Sequence, residues 1–265
     1  MEMGIRFDGG SGRPVVFLHG FPGNGSDWGP VARRLEDSHR VVVVDLVGFG
    51  SSPRPDRFED LWADAQAKAL AATLDRLGIE RTALVGHDYG GPVSLALVRR
   101  FPERVTHLAI LSTNAFGDTP VDFPLSLIRV PGLGPLLEPL FFGRRSLAVL
   151  GRVLSRTRGA RAARNDAEEA RTIRTIFARV LRDLPGLYGP IEASLEGIRI
   201  PTTVVWGDRD RFFPEAQGRR TAAAIPDARF VLLEGCGHLP QIERPEAVHE
   251  ALLELRSEGG SGGEE

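Results

Sequence analysis

The chain has 265 residues, 42% hydrophobic and 26% charged, a globular composition far from that of disordered, fibrous or membrane-spanning sequences. Its 33 Lys and Arg against 35 Asp and Glu leave a net charge of -2, so no long-range field draws it to nucleic acid or an anionic membrane. The single cysteine, Cys236, excludes an internal disulfide framework and a multi-thiolate metal site.

The first residues hold no basic region followed by a long apolar stretch, so neither a signal peptide nor a membrane span is expected, and the default location is cytoplasmic. A β-branched, apolar run at residues 15–18 predicts a strand and leads into His19-Gly20-Phe21-Pro22. A second run at 41–44 precedes Asp45-Leu46-Val47-Gly48-Phe49-Gly50-Ser51-Ser52, whose glycines permit a tight structural turn. Residues 61–77 set Leu61, Ala65, Leu70, Leu74 and Leu77 near one helical face and stop at Gly78, as a crossover helix with a glycine C-cap would. A third run, 83–85, enters Gly86-His87-Asp88-Tyr89-Gly90-Gly91, and helical periodicity follows over 93–101.

Further runs at 105–111, 202–206 and 230–233 complete six predicted strands, mostly separated by helical segments. The expected class is therefore α/β, with a mostly parallel central sheet flanked by helices. The alternation breaks over residues 114–197, where Leu, Ala and Arg dominate and Pro and Gly interrupt. This predicts an inserted helical lid, with residues 1–113 and 198–256 as one core. The arginines between 144 and 182 fall at helical spacing and are expected on a solvated lid face. Residues 257–265, mostly Gly, Ser and Glu, read as a flexible tail.

Four motifs carry chemistry, each just past a predicted strand. In the elbow after residue 85, a strand turns sharply into a helix, presenting Asp88 on the carboxyl edge of the sheet, and the glycines on either side allow close backbone approach. The helix start below it favours a carboxylate. Backbone N–H groups of Phe21 and Tyr89 are placed to form an oxyanion hole, and His19 is expected to support its loop by bonding backbone. Asp210, in Trp206-Gly207-Asp208-Arg209-Asp210, and His238, in Gly235-Cys236-Gly237-His238, complete the order nucleophile, acid, histidine.

In these motifs the chain resembles the α/β-hydrolase superfamily from Val15 to Leu255, and its aspartate elbow resembles the epoxide hydrolase and haloalkane dehalogenase branch. The resemblance implies an α/β-hydrolase fold and a catalytic triad of Asp88, His238 and Asp210. A carboxylate, with a reference pKa of about 3.9, is ionised at neutral pH and attacks without a base. Attack on an ester would give a reactive anhydride, whereas attack on a saturated carbon bearing a halide or strained oxygen gives an alkyl ester. His238, oriented by Asp210, then activates the water that hydrolyses it. No metal or organic cofactor is required.

The leaving group separates the two branches. Haloalkane dehalogenases of the resembled branch usually carry Trp after the nucleophile and a second halide donor from the lid or after His-Gly; here Tyr89 and Phe21 stand there. Fluoroacetate dehalogenases share His-Gly-Phe-Pro but place arginine after the aspartate. Epoxide hydrolases share that motif and typically bind the epoxide oxygen with two lid tyrosines, of which this chain has one, Tyr188. The resemblance therefore points first to an epoxide and then to a haloalkane or haloacid, with a carboxylesterase or a non-catalytic ligand-binding member as further alternatives. Trp28, Phe141, Phe142, Phe212 and Phe213 are candidates to line an apolar pocket under the lid, for a small apolar substrate. His39, His107 and His249 are expected to serve structure or surface.

Overall fold

The computed structural model describes residues 1–21, 23–55, 57–121, 123–143, 145–146 and 167–253. The expected tail at 257–265, Pro22 and much of the arginine-rich stretch after residue 143 lie outside them. Seven strands form one sheet: β1 (Gly4–Gly9), β2 (Arg13–Leu18), β3 (His39–Asp45), β4 (Thr82–His87), β5 (Val105–Leu111), β6 (Thr202–Gly207) and β7 (Arg229–Leu233). Their spatial order is β1-β3-β2-β4-β5-β6-β7. All neighbours run parallel except β1, which pairs antiparallel with β3 at the edge.

The six runs read from sequence lie within β2 to β7. The pattern does not announce β1, because this edge strand has no fully buried residue, carries few apolar positions and has glycine at both ends. Its register also shifts between Ile5 and Phe7.

Inner strands read as continuous apolar runs because both faces of the sheet are covered. Val15, Phe17, Val41, Val43, Val85 and Leu111 pack on one face with helices α1 (Gly29–Leu35) and, from the far end of the chain, Pro245–Ala251. Val16, Leu18, Val42, Val44, Leu84 and Ile110 pack on the other with α2 (Ala63–Arg76) and α3 (Gly90–Arg100). The predicted stop of α2 is realised at Gly78, whose φ of +65° is left-handed; the N–H of Ile79 returns to the Leu74 carbonyl at 2.9 Å.

Between the adjacent strands β5 and β6 the chain carries α4 (Gly134–Phe142), α5 (Ala167–Arg182) and α6 (Leu184–Glu192). Phe177, Leu181, Leu184 and Tyr188 of α5 and α6 are buried in the same cluster as Phe21 and Tyr89. Arg171, Arg179 and Arg182 face solvent, and Arg179 pairs with Asp183 at 3.0 Å. The remaining helices are α7 (Glu215–Ala224), α8 (Pro240–Glu243) and α9, the Pro245–Ala251 helix. No helix among the described residues is long and apolar enough to cross a membrane.

One pocket candidate belongs to the core instead. Trp28 is wholly buried on the α1 face, its ring 4.9 Å from that of Phe17, with the sheet between it and α2, α3 and the helical insertion. Trp28→Ala is expected to destabilise the fold by about 3–5 kcal/mol, through lost burial and the cavity left behind. Denaturant unfolding measures that loss, and substrate preference is expected to stay that of the parent.

Candidate active site

The functional loops leave one edge of the sheet because the parallel register ends there together. Leu18 lies opposite Gly86, His87 opposite Leu111, and Gly207 opposite Leu233. Asp88 therefore follows β4, the His19 to Phe21 loop follows β2, Asp210 follows β6 and His238 follows β7.

Asp88 turns the chain from β4 into α3 with φ +48°, a left-handed conformation that a non-glycine residue adopts at a cost of about 1–3 kcal/mol. Backbone bonds hold it there. Its N–H donates to the Leu111 carbonyl at 3.1 Å, and its carbonyl accepts from the Gly91 N–H at 3.0 Å and the Thr113 hydroxyl at 2.6 Å. A side chain at Gly20 would collide with the Asp88 carboxylate, and one at Gly86 with the Gly90 carbonyl.

The two carboxylate oxygens of Asp88 meet different partners. Oδ1 accepts the Phe21 N–H at 2.9 Å, while Oδ2 stands 3.6 Å from Nε2 of His238, beyond hydrogen-bond range. Tyr89 is the N-cap residue of α3, so helix-start N–H groups and the positive dipole end lie beside the carboxylate. His238 donates from Nδ1 to Oδ2 of Asp210 at 2.9 Å, which leaves Nε2 aimed at Asp88. Oδ1 of Asp210 accepts the N–H groups of Phe212 at 2.8 Å and Phe213 at 2.9 Å.

Electrostatics follow from burial and these pairings. Burial alone would depress the His238 pKa, but the charge of Asp210, its hydrogen bond and the nearby Asp88 raise it to about 10. Burial would raise the Asp210 carboxyl, yet the His238 charge and the hydrogen bonds hold it below the usual range. His87 lies the other way: burial lowers it to about 4, and its neutral Nε2–H donates to the His238 carbonyl at 2.8 Å. It braces the loop that carries His238. His19, lowered by burial, donates from Nδ1 to the Gly20 carbonyl at 2.7 Å and accepts the Leu46 N–H at Nε2, 3.0 Å, the supporting part expected of it. Burial pushes the Cys236 thiol up to about 12, so it stays neutral.

Asp88 opens into a cavity of about 280 Å³ whose walls include Phe21, Tyr89, Tyr188, Phe212 and Phe213, together with Asn114, Phe177 and Arg211. Phe141 and Phe142 are not among its walls: Phe142 lies behind Phe177, stacked at 4.7 Å, and Phe141 packs half-buried against the core. The two tyrosines of the chain differ in use. The Tyr89 hydroxyl donates to the Leu61 carbonyl at 2.8 Å, whereas Tyr188 lines the cavity beside Asn114 and feels the charge of Asp88. Burial keeps both phenols protonated far above neutral pH.

Sequence patterns assign no role to His87, Thr113 or Asn114. Asn114 follows β5 as Asp88 follows β4, so the rule that strand ends carry function extends to it. Its Oδ1 accepts from Gln217 and Thr119, both at 2.7 Å.

Residues 15–251 match the family model described as alpha/beta hydrolase family. The chain is 31% identical over 262 residues to the 2-hydroxy-6-oxononadienedioate/2-hydroxy-6-oxononatrienedioate hydrolase of Paraburkholderia phymatum, covering 94% of this chain and 88% of that protein. It is 26% identical over 286 residues to epoxide hydrolase 3 of Xenopus tropicalis, covering 97% and 76% respectively. The crystal structure of an ancestral haloalkane dehalogenase superposes with a TM-score of 0.79 at 26% identity, covering 94% of this chain and 93% of that one.

The raised pKa of His238 has a stability counterpart. Its contribution is fully present below the ordinary value of 6.5 and is lost as pH rises through about 10. An NMR titration of the imidazole nitrogens is expected to find His238 charged through neutral pH, and Asp88→Asn to lower its pKa. An unchanged titration in that variant would contradict the coupling.

Proposed function

Because the chain belongs to the alpha/beta hydrolase family, we propose that it hydrolyses epoxides through a covalent ester on Asp88. The observation that carries this reading is the division of labour between the carboxylate oxygens of a cavity-lining residue: Oδ1 is tied to the Phe21 N–H, and Oδ2 faces His238. Oδ2 attacks a ring carbon, the ring C–O bond breaks, and the Tyr188 hydroxyl gives its proton to the departing oxygen, leaving a hydroxyalkyl ester and a tyrosinate.

Esterification removes the negative charge that helped to keep His238 protonated, so its pKa falls at the step that needs a base. The imidazolium returns a proton to Tyr188 and becomes neutral. Nε2 then takes a proton from water, and the hydroxide adds to Cγ of Asp88. The oxyanion on Oδ1 is held by the Phe21 N–H and the start of α3. Its collapse expels the diol oxygen, which His238 protonates; the new Asp88 carboxylic acid gives its proton back to His238. The sum is epoxide plus water to diol.

Tyr188 favours an oxygen leaving group. An alkoxide needs a proton, which the Tyr188 phenol can give; a halide needs only donors that keep theirs. The three tryptophans lie elsewhere: Trp28 on the α1 face, Trp62 outside this cavity's walls, and Trp206 with its N–H on the Phe213 carbonyl at 2.9 Å. The structural likeness to an ancestral haloalkane dehalogenase favours a second reading, release of halide from the same aspartyl ester. An esterase reading meets the anhydride problem of a carboxylate nucleophile.

His238→Gln is expected to trap the ester. Intact-protein mass after exposure to an epoxide panel should rise by the full substrate mass; an adduct lacking the halogen, after a haloalkane panel, would establish dehalogenation instead. No adduct from either panel would refute the Asp88 ester. Tyr188→Phe is expected to slow epoxide opening by about 10²-fold or more in single-turnover measurements.

A further inference from the structure

The cavity walls carry two charged side chains, Asp88 and Arg211. The rest of the lining is largely apolar and includes Phe21, Phe177, Leu181, Leu184, Phe212 and Phe213. Arg211 directly follows Asp210, whose Oδ1 accepts the N–H groups of Phe212 and Phe213 and so folds a tight turn around residue 211. The carboxylate that orients His238 thus also fixes the backbone from which Arg211 projects. Arg211 is exposed and pairs with no carboxylate among the described residues. Nearby Arg219 and Arg220 are both engaged, by Glu215 at 2.7 Å and Asp118 at 2.6 Å.

An unpaired guanidinium on the rim of an apolar cavity is a receptor for a planar anion, since its donors match a carboxylate in pairs. We infer that Arg211 selects substrates whose apolar body ends in a carboxylate remote from the reacting carbon. Resting on the proposed Asp88 chemistry, this names the substrate class as epoxides of aliphatic acids. The reasoning is electrostatic. An anionic substrate approaching the net negative charge of Asp88, Asp210 and the protonated His238 is repelled, and low-dielectric walls strengthen the repulsion. Arg211 offsets it at the mouth, and the apolar walls align the chain with its reactive carbon toward Asp88.

Binding and turnover test the two proposals separately. Calorimetry of the whole protein with hexanoate and with hexanamide is expected to show a preference of about fivefold for hexanoate, the size of a solvent-facing guanidinium–carboxylate pair. Arg211→Gln should erase that preference and Arg211→Lys restore part of it, with salt weakening it in the parent protein. Equal binding of the two probes, or a preference that survives Arg211→Gln, would overturn the inference. A paired assay with 5,6-epoxyhexanoate and its amide should show the same ratio in KM. Failure of the parent protein to hydrolyse either compound while the hexanoate preference stands would overturn the epoxide reading and leave the anion site in place.

Discussion

Everything at the site depends on the backbone of Asp88. A residue with a side chain at φ +48° sits where the strand must become a helix within one step, and it stays there because three groups of neighbouring elements hold its amide and carbonyl. The helix start, the Phe21 N–H and His238 all take their positions relative to that turn. Only residues without side chains fit around it: Gly20 and Gly86 let the β2 loop and α3 approach within contact of the carboxylate and the strand. Strain of about 1–3 kcal/mol is small beside the burial on both faces of the sheet that enforces it.

The second organising fact is that charge is concentrated in a buried place and then neutralised in pairs. His238 is 2% exposed and Asp210 8%, yet each makes the charged form of the other tolerable. His87, equally buried and next to both, is held neutral and spends its one N–H on a carbonyl. Two histidines whose rings lie 5.1 Å apart thus have opposite protonation preferences. The difference arises from partners, since burial pushes both in the same direction.

Much of this was legible before any coordinates. The five inner strands announce themselves because residues buried on both faces must all be apolar, and Asp88, Asp210 and His238 each follow a strand in the sequence. What escaped has physical reasons. Strand β1 has no fully buried residue, so no apolar run marks it. Trp28 and Phe142 are aromatic like Phe212 and Phe213, and composition cannot say which ring faces a cavity and which a neighbouring helix. Asn114 and His87 act through hydrogen bonds to partners 103 and 151 positions away, contacts that only the folded chain defines. The allotment of the two tyrosines, one to the Leu61 carbonyl and one to the cavity, is of the same kind.

Phe21 joins two parts of the molecule that are usually considered apart. Its N–H binds Asp88, and its ring rests edge-on against Phe177 of α5 at 5.2 Å, with Phe142 stacked behind. The residue whose N–H holds Oδ1 of Asp88 is thus packed against a helix inserted between β5 and β6. A change of side chain at Phe177 therefore reaches the Asp88 carboxylate through a single intervening residue.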